Sequence, residues 1–562
     1  MCGIFYIYDE SHSNQTNQTK TNESAIHNAI NTIKHRGPDT SQVISNKYVT
    51  MGFHRLIING SNGLSNQPMT LDGQTYLLCN GEIYNHMQLQ QKYNVVCTTG
   101  SDCEIILHLY NILGFTKMVQ ELDGEFAIII VTENKVYIAR DPYGVRSLYI
   151  AVDIPTNKIC IASESKAIYK LFSSELIKQF KPGNIGRWSI MNPNNNHLIV
   201  GENPEKYLQL PYHNYKRKMI KMSMSMPVND DDNNNNNNNN QIQTDIIYNI
   251  RKLLITAVEK RTMCSRMNTN SFGVYLSGGL DSSIIAAVLQ KKMAPLKIKI
   301  KTFSIGFENS PDLYYARQVA EHIGSIHSEC IITEEIAIGA INSVIYATET
   351  YDVTTVRASI MMYLLSKHIN ETSSVVVVFS GEGSDEASGS YRYFHNAPSS
   401  LEFNSECERL LSDLHLFDNL RVDKSSAAFG LEARIPFLDL DFINYYMTIP
   451  RELKTQRGIE KFLFRKAFVD MLPESIITRP KEAMSDGVSH VTRSWSDILQ
   501  GEAIRVTGIS DPIYAERELY WSIFNKHYNG CGHQIPYYWL PRWCGDIKDP
   551  SARTLPFYNG SV

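Results

Sequence analysis

The sequence predicts an α/β protein of two domains, an α+β domain built on antiparallel sheets followed by a domain built on a parallel sheet. Its 562 residues are too many for a single hydrophobic core. Up to about residue 210, segments rich in β-branched and aromatic residues are separated by turns, which is typical of antiparallel strands. After residue 241, apolar strands alternate with helices, which is typical of a parallel sheet covered by helices on both faces.

The composition excludes several classes of protein. The chain carries 54 positive and 58 negative side chains, for a net charge of -4, and this argues against a nucleic-acid partner. Its apolar runs are too short to span a bilayer, so we expect no membrane partner. The start, MCGIFYIYDE, lacks the basic region of a secretory signal, and the ten cysteines are scattered without a CxxC pair. We therefore expect reduced thiols in a cytoplasmic (cytosolic) protein.

The N-terminal domain is expected to cover residues 2–210. Its predicted strands are GIFYIYD, YVTMGFHRLII, QTYLLCNG, EFAIIIV and KVYIAR. Helices are predicted at residues 24–35 and 102–113. The second helix places four apolar side chains on one face, namely Ile105, Ile106, Leu109 and Ile112. The polar residues 11–24 are predicted to form a surface loop without a chemical role.

Residues 211–241 are predicted to be a disordered linker. They contain KRKMIKMSMSMPVNDDD followed by eight consecutive asparagines, a composition with no apolar face to bury. The second domain then covers residues 242–545, and residues 546–562 form a tail. Its predicted strands are FGVYLS, KIKTFSIGF, HSECIIT and SVVVVFS, separated by helices at residues 245–261, 282–292 and 312–323 and up to residue 368. Beyond about residue 389 the chain is predicted to be mainly helical.

Cys2 is a candidate nucleophile. Removal of the initiator Met1 would leave Cys2 with a free α-amine, whose pKa is typically about 7.7–8.0. Its thiolate could then attack an acyl carbon while the amine moves the proton. The Asn80 side chain and the Gly81 backbone N–H, on a turn at a strand end, are candidate donors to the resulting oxyanion. The alternative is that Asn80 and Gly81 only form a turn.

Two charged residues fit the ends of an amino-acid substrate. Arg55 can hold a carboxylate through its planar guanidinium, and Asp102 can pair with an ammonium. A carboxylate, an ammonium and an attacked amide together describe glutamine. The alternatives are a surface charge at Arg55 and a helix cap at Asp102.

A set of motifs in this half resembles a known family. MCGIF, RGPD, HRL, NGEIYNH, GSDCE, LDGEFA and RDPYGVRSLY, in that order, resemble class II glutamine amidotransferase domains, which are N-terminal nucleophile (Ntn) hydrolases. The resemblance covers nearly all of residues 2–190, and the polar insertion spares every matched residue. It implies an Ntn-hydrolase sandwich of antiparallel sheets with helices, and glutamine hydrolysis through a thioester on Cys2. It assigns glutamine binding to Arg55, Asn80, Glu82 and Asp102, with Asn80 and Gly81 as the oxyanion donors.

SGGLDSS, at residues 277–283, has the features of a phosphate-binding loop. Gly278 and Gly279 allow close approach of the backbone, and the helix that follows offers free N–H groups and the positive end of its dipole. The loop lacks the lysine of GxxxxGK[ST]. Asp281 beside a phosphate site suggests an intervening Mg²⁺. The alternative is a glycine-rich turn before a capped helix.

Two further loops carry charge. SGEGSDEA, at residues 380–387, follows an apolar strand with three acids, Glu382, Asp385 and Glu386, which could bind metal or accept protons, or else cap a helix. RPKEAMSDG, at residues 479–487, presents Lys481 as a clamp on phosphate charge.

These loops also resemble known enzymes. SGGLDSS resembles the loop of adenine-nucleotide α-hydrolase-like synthetases, which adenylate a carboxylate and release pyrophosphate. ETYDVTTVRAS, SGEGSDE, YFHNAP, LEARIPFLD and KEAMSDG resemble the glutamine-hydrolysing asparagine synthetases over about residues 245–545. The resemblance implies that Leu276, Ile305, Ser380 and Gly381 line the adenosine site. It implies that Ser277, Gly278, Gly279, Asp281 and Ser282 hold pyrophosphate, that Asp281 and Asp385 hold Mg²⁺, and that Glu382 and Lys481 serve the β-aspartyl-AMP step.

One departure concerns the acceptor pocket. The family continues GSDE-x-FGGY, whereas this chain has ASGSY, with Ser388 in place of an aromatic residue and Ser390 in place of a glycine. The predicted function is ATP-dependent synthesis of asparagine from aspartate and glutamine, with ATP, Mg²⁺ and small molecules as the only expected partners. A homodimer stays open. The alternatives are another small carboxylate as acceptor, or a non-catalytic relative with a binding role.

Overall fold

The structure is a computed structural model that describes residues 1–9, 17–60, 63–190, 200–208, 233–264, 272–456, 458–481, 487–490 and 493–551. The first part of the polar insertion, residues 10–16, and most of the predicted linker, residues 209–232, lie outside the described residues. No helix in the described ranges is long and apolar enough to cross a membrane.

The N-terminal domain is a sandwich of two six-stranded antiparallel sheets, as predicted. The strands are β1 (Gly3–Asp9), β2 (Thr40–Ser45), β3 (Val49–Arg55), β4 (Met69–Thr70), β5 (Tyr76–Ile83), β6 (Gly124–Val131), β7 (Lys135–Arg140), β8 (Tyr149–Asp153), β9 (Lys158–Ala162), β10 (Lys178–Gln179), β11 (Asn184–Ser189) and β12 (Val200–Lys206). One sheet has the order β10-β8-β9-β1-β3-β2 and the other β12-β11-β7-β6-β5-β4.

Alternate side chains of the central strands face opposite sides of their sheet, and this places a core on each side. In β1, Ile4 and Tyr6 face the second sheet, where they pack with Ile129 of β6. Phe5 and Ile7 face the other way, into the core that includes the first helix. Every residue of β1 is therefore buried, because one sheet face and one helical layer cover its two sides.

The helices of this domain are α1 (Asn17–Asn31), α2 (His86–Tyr93), α3 (Glu104–Leu113) and α4 (Phe115–Glu121). The prediction of a loop over residues 17–24 was wrong, because α1 begins at Asn17. Buried Ile26 and Ile30 anchor this helix, and each residue added to an anchored helix gains a backbone hydrogen bond. In α3, Ile105 is buried as predicted, whereas Ile112 in the last turn is exposed.

The second domain contains the predicted parallel sheet. Its strands are β13 (Phe272–Tyr275), β14 (Lys301–Phe307), β15 (Ile326–Ile332), β16 (Val377–Phe379) and β17 (Glu432–Arg434), in the order β15-β14-β13-β16-β17. The sequence did not predict β17, because a three-residue strand with two charged side chains lacks the apolar pattern of a buried strand. Those charges are buried in ion pairs instead.

Helices surround this sheet. They are α5 (Asn233–Lys260), α6 (Leu280–Met293), α7 (Pro311–Ile323), α8 (Glu334–Gly339), α9 (Ile341–Thr348), α10 (Val353–Thr372), α11 (Ser384–Ser388), α12 (Ser400–Asp413), α13 (Asp418–Ala427), α14 (Leu440–Tyr446), α15 (Arg451–Lys454), α16 (Phe462–Ala467), α17 (Glu474–Ile477), α18 (Trp495–Thr507) and α19 (Pro512–His527). Short 3-10 turns connect elements at Lys34–Arg36, Gly63–Ser65, Ser165–Ala167, Ser174–Leu176, Ala294–Leu296, Arg392–Asn396, Leu414–Leu416, Pro436–Leu438 and Gly532–Gln534.

Helix α5 includes residues 233–240 of the asparagine tract, which the sequence assigned to the disordered linker. The second half of α5 is anchored by buried Ile250, Leu254 and Ala257. Once that part is packed, extending the helix toward the N-terminus avoids the cost of a new nucleus.

The two domains meet through buried ion pairs. Arg36 of the first domain contacts Asp423 of α13 at 3.0 Å, and Ser147 donates to the same carboxylate at 2.7 Å. Elsewhere on the interface, Glu125 of β6 accepts from Arg261 at 2.8 Å. Charges buried in this way need their partners in place, so the interface fixes how the two domains sit together.

Candidate active sites

Cys2 lies just before β1, at the edge of the interface between the domains. Its backbone N–H donates to Asn80 Oδ1 at 2.8 Å, and its thiol lies 3.9 Å from the carbonyl oxygen of Leu56. Burial raises the pKa of the Cys2 thiol to about 11. Attack by this sulfur therefore requires a base that takes its proton.

Asn80 and Gly81 lie in β5, next to Cys2. Asn80 Nδ2 is buried and has no hydrogen-bond partner among the described residues. Leaving such a donor unpaired costs about 1–3 kcal/mol, and it is an available donor for a substrate oxygen. Gly81 has φ +154°, and a Cβ there would lie 2.1 Å from the carbonyl oxygen of Glu125. The turn alternative therefore fails: both residues belong to a strand, and only glycine fits at position 81.

The predicted glutamine-binding residues surround the same space. Arg55 is buried rather than a surface charge, and it donates to Asn66 Oδ1 at 2.7 Å. Asp102 accepts from the backbone of Ile83 at 2.7 Å, and no side-chain cap of α3 is found in the described chain. Arg55 is therefore not a surface charge, and Asp102 does not cap α3.

Glu82 and Asp102 are joined through an asparagine that the sequence did not single out. Asn59 Nδ2 donates to Glu82 Oε2 at 2.6 Å and lies 3.4 Å from Asp102 Oδ1. Burial, followed by the charge of Asp102, raises the pKa of Glu82 well above the ordinary range. Two buried carboxylates so close together favour a cationic group beside them, as the ammonium of an amino acid would be.

The second domain also contributes to this pocket. Arg434 of β17 lies 3.3 Å from Glu82 and 2.9 Å from Glu432. The Met1 α-amine is 3.5 Å from Glu432. Burial alone would raise the pKa of Glu432, but the Met1 ammonium and Arg434 outweigh it and lower this pKa to about 2. The segment LEARIPFLD contained both residues, but nothing in the sequence indicated that they face the other domain.

The glycine-rich loop follows β13 and leads into α6. Gly278 has φ +70°, and a Cβ there would lie 2.5 Å from the backbone nitrogen of Ala316 in α7. Gly279 is the N-cap residue of α6, and within the described chain no side chain caps this helix. The alternative of a capped helix is therefore wrong, and the first N–H groups of α6 are available to an anion.

The acidic loop after β16 packs directly on the glycine-rich loop. Parallel pairing sets β16 beside β13, and a Cβ on Gly381 would lie 3.2 Å from the backbone nitrogen of Ser282. One cleft at the carboxyl ends of the strands is lined by most of the predicted residues. These are Leu276, Ser277, Gly279, Asp281, Ser282, Ile305, Ser380, Gly381, Glu382, Asp385 and Lys481.

A line of alternating charges crosses this cleft. Lys461 contacts Asp281 and lies 2.6 Å from Asp385, which in turn lies 2.6 Å from Lys481. Burial alone would raise the pKa of Asp385, but Lys461 and Lys481 outweigh it and lower this pKa well below the ordinary range. The sequence did not single out Lys461, which lies in the turn just before α16 and outside any glycine-rich motif.

Two carboxylates directed at one cleft form an oxygen donor set of the kind that Mg²⁺ prefers. Asp281 and Asp385 approach each other closely enough to share one ammonium group, that of Lys461. The residues present therefore fit a divalent cation held between them, next to the available N–H groups of α6.

Glu382 is held in a fixed orientation. Ser380 donates to one of its oxygens at 2.8 Å and Arg421 of α13 donates to the other at 2.9 Å. Arg421 is itself 2.7 Å from Asp418. Like Lys461, Arg421 was not predicted, because its role depends on a contact distant in sequence.

The departures from the family pattern lie on the acidic loop. Ser388 donates to the carbonyl oxygen of Ser384 at 2.6 Å and is buried, so its hydroxyl is satisfied within α11. Ser390 contacts the carboxylate of Asp385. Ser390 therefore adds a hydrogen bond to an acid of the cleft, which a glycine could not provide.

Two family models match the chain. The model described as glutamine amidotransferase domain matches residues 1–181, and the model described as asparagine synthase matches residues 249–406 and 399–530. The chain is 42% identical over 557 residues to asparagine synthetase (glutamine-hydrolyzing) of Gallus gallus, covering 94% of this chain and 96% of that protein. The protein of the same name from Homo sapiens is 40% identical over 559 residues, with the same shares.

A solved structure also resembles the chain. It is the glutamine phosphoribosylpyrophosphate amidotransferase of B. subtilis complexed with ADP and GMP, 17% identical, with a TM-score of 0.28. The similarity covers 53% of this chain and 64% of that chain. This TM-score is too low to support an argument.

Proposed function

This chain belongs to the family of glutamine-hydrolysing asparagine synthetases, and we propose from that membership that it makes asparagine from aspartate, with glutamine as nitrogen donor and ATP as activator. The products are asparagine, glutamate, AMP and pyrophosphate. The observation that carries the proposal is the presence, in one chain, of two polar sites joined by a buried interface. One suits the splitting of an amide and the other suits a polyphosphate.

In the first site, Cys2 acts as the nucleophile once Met1 has been removed. Its α-amine, held by Asn80 Oδ1, takes the proton of the thiol, which burial keeps neutral. The sulfur then attacks the glutamine side-chain carbonyl, and Asn80 Nδ2 with the Gly81 N–H stabilises the oxyanion. Ammonia leaves, and water releases glutamate from the thioester.

Binding of glutamine requires partners for both of its charges. Arg55 pairs with the α-carboxylate, and Asp102 and Glu82 pair with the α-ammonium. The raised pKa of Glu82 supports this role, because an added positive charge would relieve the repulsion between the two acids.

In the second site, ATP lies over the glycine-rich loop. Leu276, Ile305 and the 380–381 backbone contact adenosine, and the loop with the start of α6 binds the phosphates. Asp281 and Asp385 would hold Mg²⁺, which offsets phosphate charge when it is bound. The carboxylate of aspartate attacks the α-phosphorus, and Lys481 stabilises the charge that develops on pyrophosphate.

Ammonia from the first site then attacks the acyl-adenylate. Glu382 is the group we assign to this step, because Ser380 and Arg421 hold its carboxylate at the cleft. The ammonia passes within the protein, a route that the buried contacts between the domains favour. We also propose a cytosolic location, in keeping with the ten free cysteines.

Among the alternatives, only an acceptor other than aspartate is favoured by an observation. Ser390 changes the wall beside Asp385, and such a change alters which carboxylate the pocket admits. The test is a product assay with glutamine, ATP, Mg²⁺ and a panel of small acids. We expect pyrophosphate and the amide only with aspartate. Faster turnover of another acid would replace the proposed acceptor, and no pyrophosphate with any acid would overturn the synthetase assignment.

A further inference from the structure

Three side chains of different chemistry converge at the start of α3, next to the first site but without a role in it so far. They are the thiol of Cys97, the carboxylate of Glu104 and the imidazole of His108, and one ligand atom of each lies within 4.8 Å of the other two. Glu104 and His108 are four residues apart on one helix and so share a face. The segment between α2 and α3 brings Cys97 beside them.

The spacing of these atoms suits a small metal ion. His108 Nε2 and Glu104 Oε1 are 3.5 Å apart. With zinc–ligand distances of about 2.0–2.2 Å, two such ligands of a tetrahedral ion lie roughly 3.3–3.5 Å apart. The spacing of this pair therefore matches that of two zinc ligands, and the Cys97 sulfur, within 4.8 Å of both, has to move closer to complete the set. A thiolate, an imidazole and a carboxylate form a ligand set typical of zinc.

Access and rigidity also favour binding. The His108 side chain is 26% exposed whereas that of Glu104 is 1% exposed, so an ion could enter from solvent and keep water as a fourth ligand. The Glu104 carboxylate is already oriented, because it accepts from the backbone of Thr98 at 2.9 Å and of Thr99 at 2.7 Å. Fixed orientation of a ligand by such outer contacts strengthens metal binding.

A purely structural role accounts for only part of this cluster. The hydrogen bonds from Thr98 and Thr99 explain why Glu104 is buried, since the carboxylate holds the preceding loop. The i,i+4 spacing explains why His108 meets this carboxylate, but neither contact gives a reason for the Cys97 thiol to lie beside both. We propose that Cys97, Glu104 and His108 form a binding site for a divalent transition metal of the zinc class, with water completing the coordination.

The proposed metal site would also affect the first active site. This consequence rests on the proposed function. The segment from Cys97 to Glu104 contains Asp102, to which we assign the glutamine ammonium. An ion bound at both ends of this segment would restrict its movement. We therefore expect zinc to change the KM for glutamine of the unaltered chain, and to leave ammonia-dependent synthesis unchanged.

The test uses the full chain carrying Cys2→Ala, because the thiol of the proposed nucleophile would itself bind zinc. Zinc affinity is measured by competition with a chromophoric chelator, and Co²⁺ is added separately to detect a thiolate-to-metal charge-transfer band. We expect one equivalent bound with a Kd below about 1 μM. We expect Cys97→Ser and His108→Gln each to weaken binding by about 100-fold, and the matched control Cys544→Ser to have no effect.

Several outcomes would overturn the site. They are the absence of zinc binding, affinity that survives Cys97→Ser, and a Co²⁺ spectrum without the thiolate band. The Co²⁺ spectrum needs no variant in Cys97, so it decides the matter even if that variant fails to fold. Neither binding readout uses catalysis, so a failed metal site and a failed enzymatic assignment remain distinguishable.

Discussion

Arg36 and Asp423 form an ion pair across the domain interface, in which the single nitrogen Nη2 lies 3.0 and 3.1 Å from the two carboxylate oxygens. The same guanidinium donates from Nε to the carbonyl oxygen of Cys2 at 3.1 Å. Asp423 lies in α13, two residues after Arg421, which holds Glu382. Helix α13 therefore holds the carboxylate of Glu382 directly through Arg421 and reaches the backbone of Cys2 indirectly, through Asp423 and Arg36.

Breaking this pair should destabilise the protein strongly. In Asp423→Asn, Arg36 would keep a buried charge with one partner fewer, so we expect the free energy of unfolding to fall by about 3 kcal/mol. Urea unfolding followed by circular dichroism measures the change. The control is Asp470→Asn, which removes an exposed partner of Arg251 and should cost less than about 1 kcal/mol. Equal losses of unfolding free energy in the two variants would show that the buried interface pair stabilises the protein no more than the exposed pair does.

Cys2→Ala should abolish glutamine-dependent synthesis of asparagine and leave ammonia-dependent synthesis largely intact. The reason is that the described residues lining the adenylating cleft lie between Tyr275 and Ser551, outside the first domain. Product formation is measured with each nitrogen source, beside Cys544→Ala, in which both activities should persist. If both activities disappear in folded Cys2→Ala protein, the two-site assignment is wrong.

Asp281→Asn and Lys481→Ala should stop pyrophosphate release and spare glutamine hydrolysis. Each removes charge that faces the phosphates, and donors matched to developing charge contribute about 10²–10³ in rate. Glutamate and pyrophosphate are measured in the same preparations, with Lys466→Ala of the exposed face of α16 as control. Normal pyrophosphate release by Asp281→Asn would mean that the glycine-rich loop has only a structural role.

Glu386 should make stability depend on pH. Burial, followed by the charges of Asp418 and Asp385, raises the pKa of Glu386 from 4.5 to about 8. Between pH 4.5 and about 8, Glu386 therefore keeps its proton in the folded state and has lost it in the unfolded chain. The stabilisation that this proton gives is complete below pH 4.5 and declines as the pH rises toward 8.

Glu386→Gln should remove this part of the decline. The free energy of unfolding is measured by urea titration at several pH values across that window. The plot for Glu386→Gln should be flatter than for the unaltered chain, whereas the exposed control Glu371→Gln should leave the slope unchanged. Parallel curves for all three proteins would place the Glu386 pKa in the ordinary range.

Removal of residues 233–240 should leave activity and stability nearly unchanged. The first buried side chain of the described part of α5 is that of Ile250, so the removed residues belong to helical turns that precede the packed part of the helix. Activity assays and thermal unfolding of the shortened chain test this. A large loss in either would mean that the asparagine tract sets a required spacing between the domains.

The fold was largely predictable because its signals are local. The run of apolar residues in β6 and the alternation of strands and helices after residue 272 depend only on neighbours in sequence. By contrast, β17 was missed, since burial of Glu432 and Arg434 depends on partners from the other domain. The extension of α5 was missed because its stability comes from residues packed further along the same helix.

The residues of the candidate sites also divide into those with a local signal in the sequence and those without one. Cys2, Asn80 and Asp281 lie in motifs whose chemistry is visible from adjacent residues. Lys461 and Arg434 carry charge that only a folded chain directs into a site, because their acidic partners are distant in sequence. Pairing across a domain interface leaves no periodic signal that a single sequence could show.

The burial of Met1 sets an order for the biogenesis of the protein. Met1 is fully enclosed, and its α-amine contacts Glu432, which belongs to the second domain. An aminopeptidase must grip the end of an extended chain, so it could not reach this methionine after the domains had docked. If Cys2 is the nucleophile, as we propose, removal of Met1 therefore has to precede the docking of the second domain, and the first domain is the one that emerges and folds first during synthesis. A chain that still carries Met1 when the domains dock would keep the α-amine of its proposed nucleophile blocked.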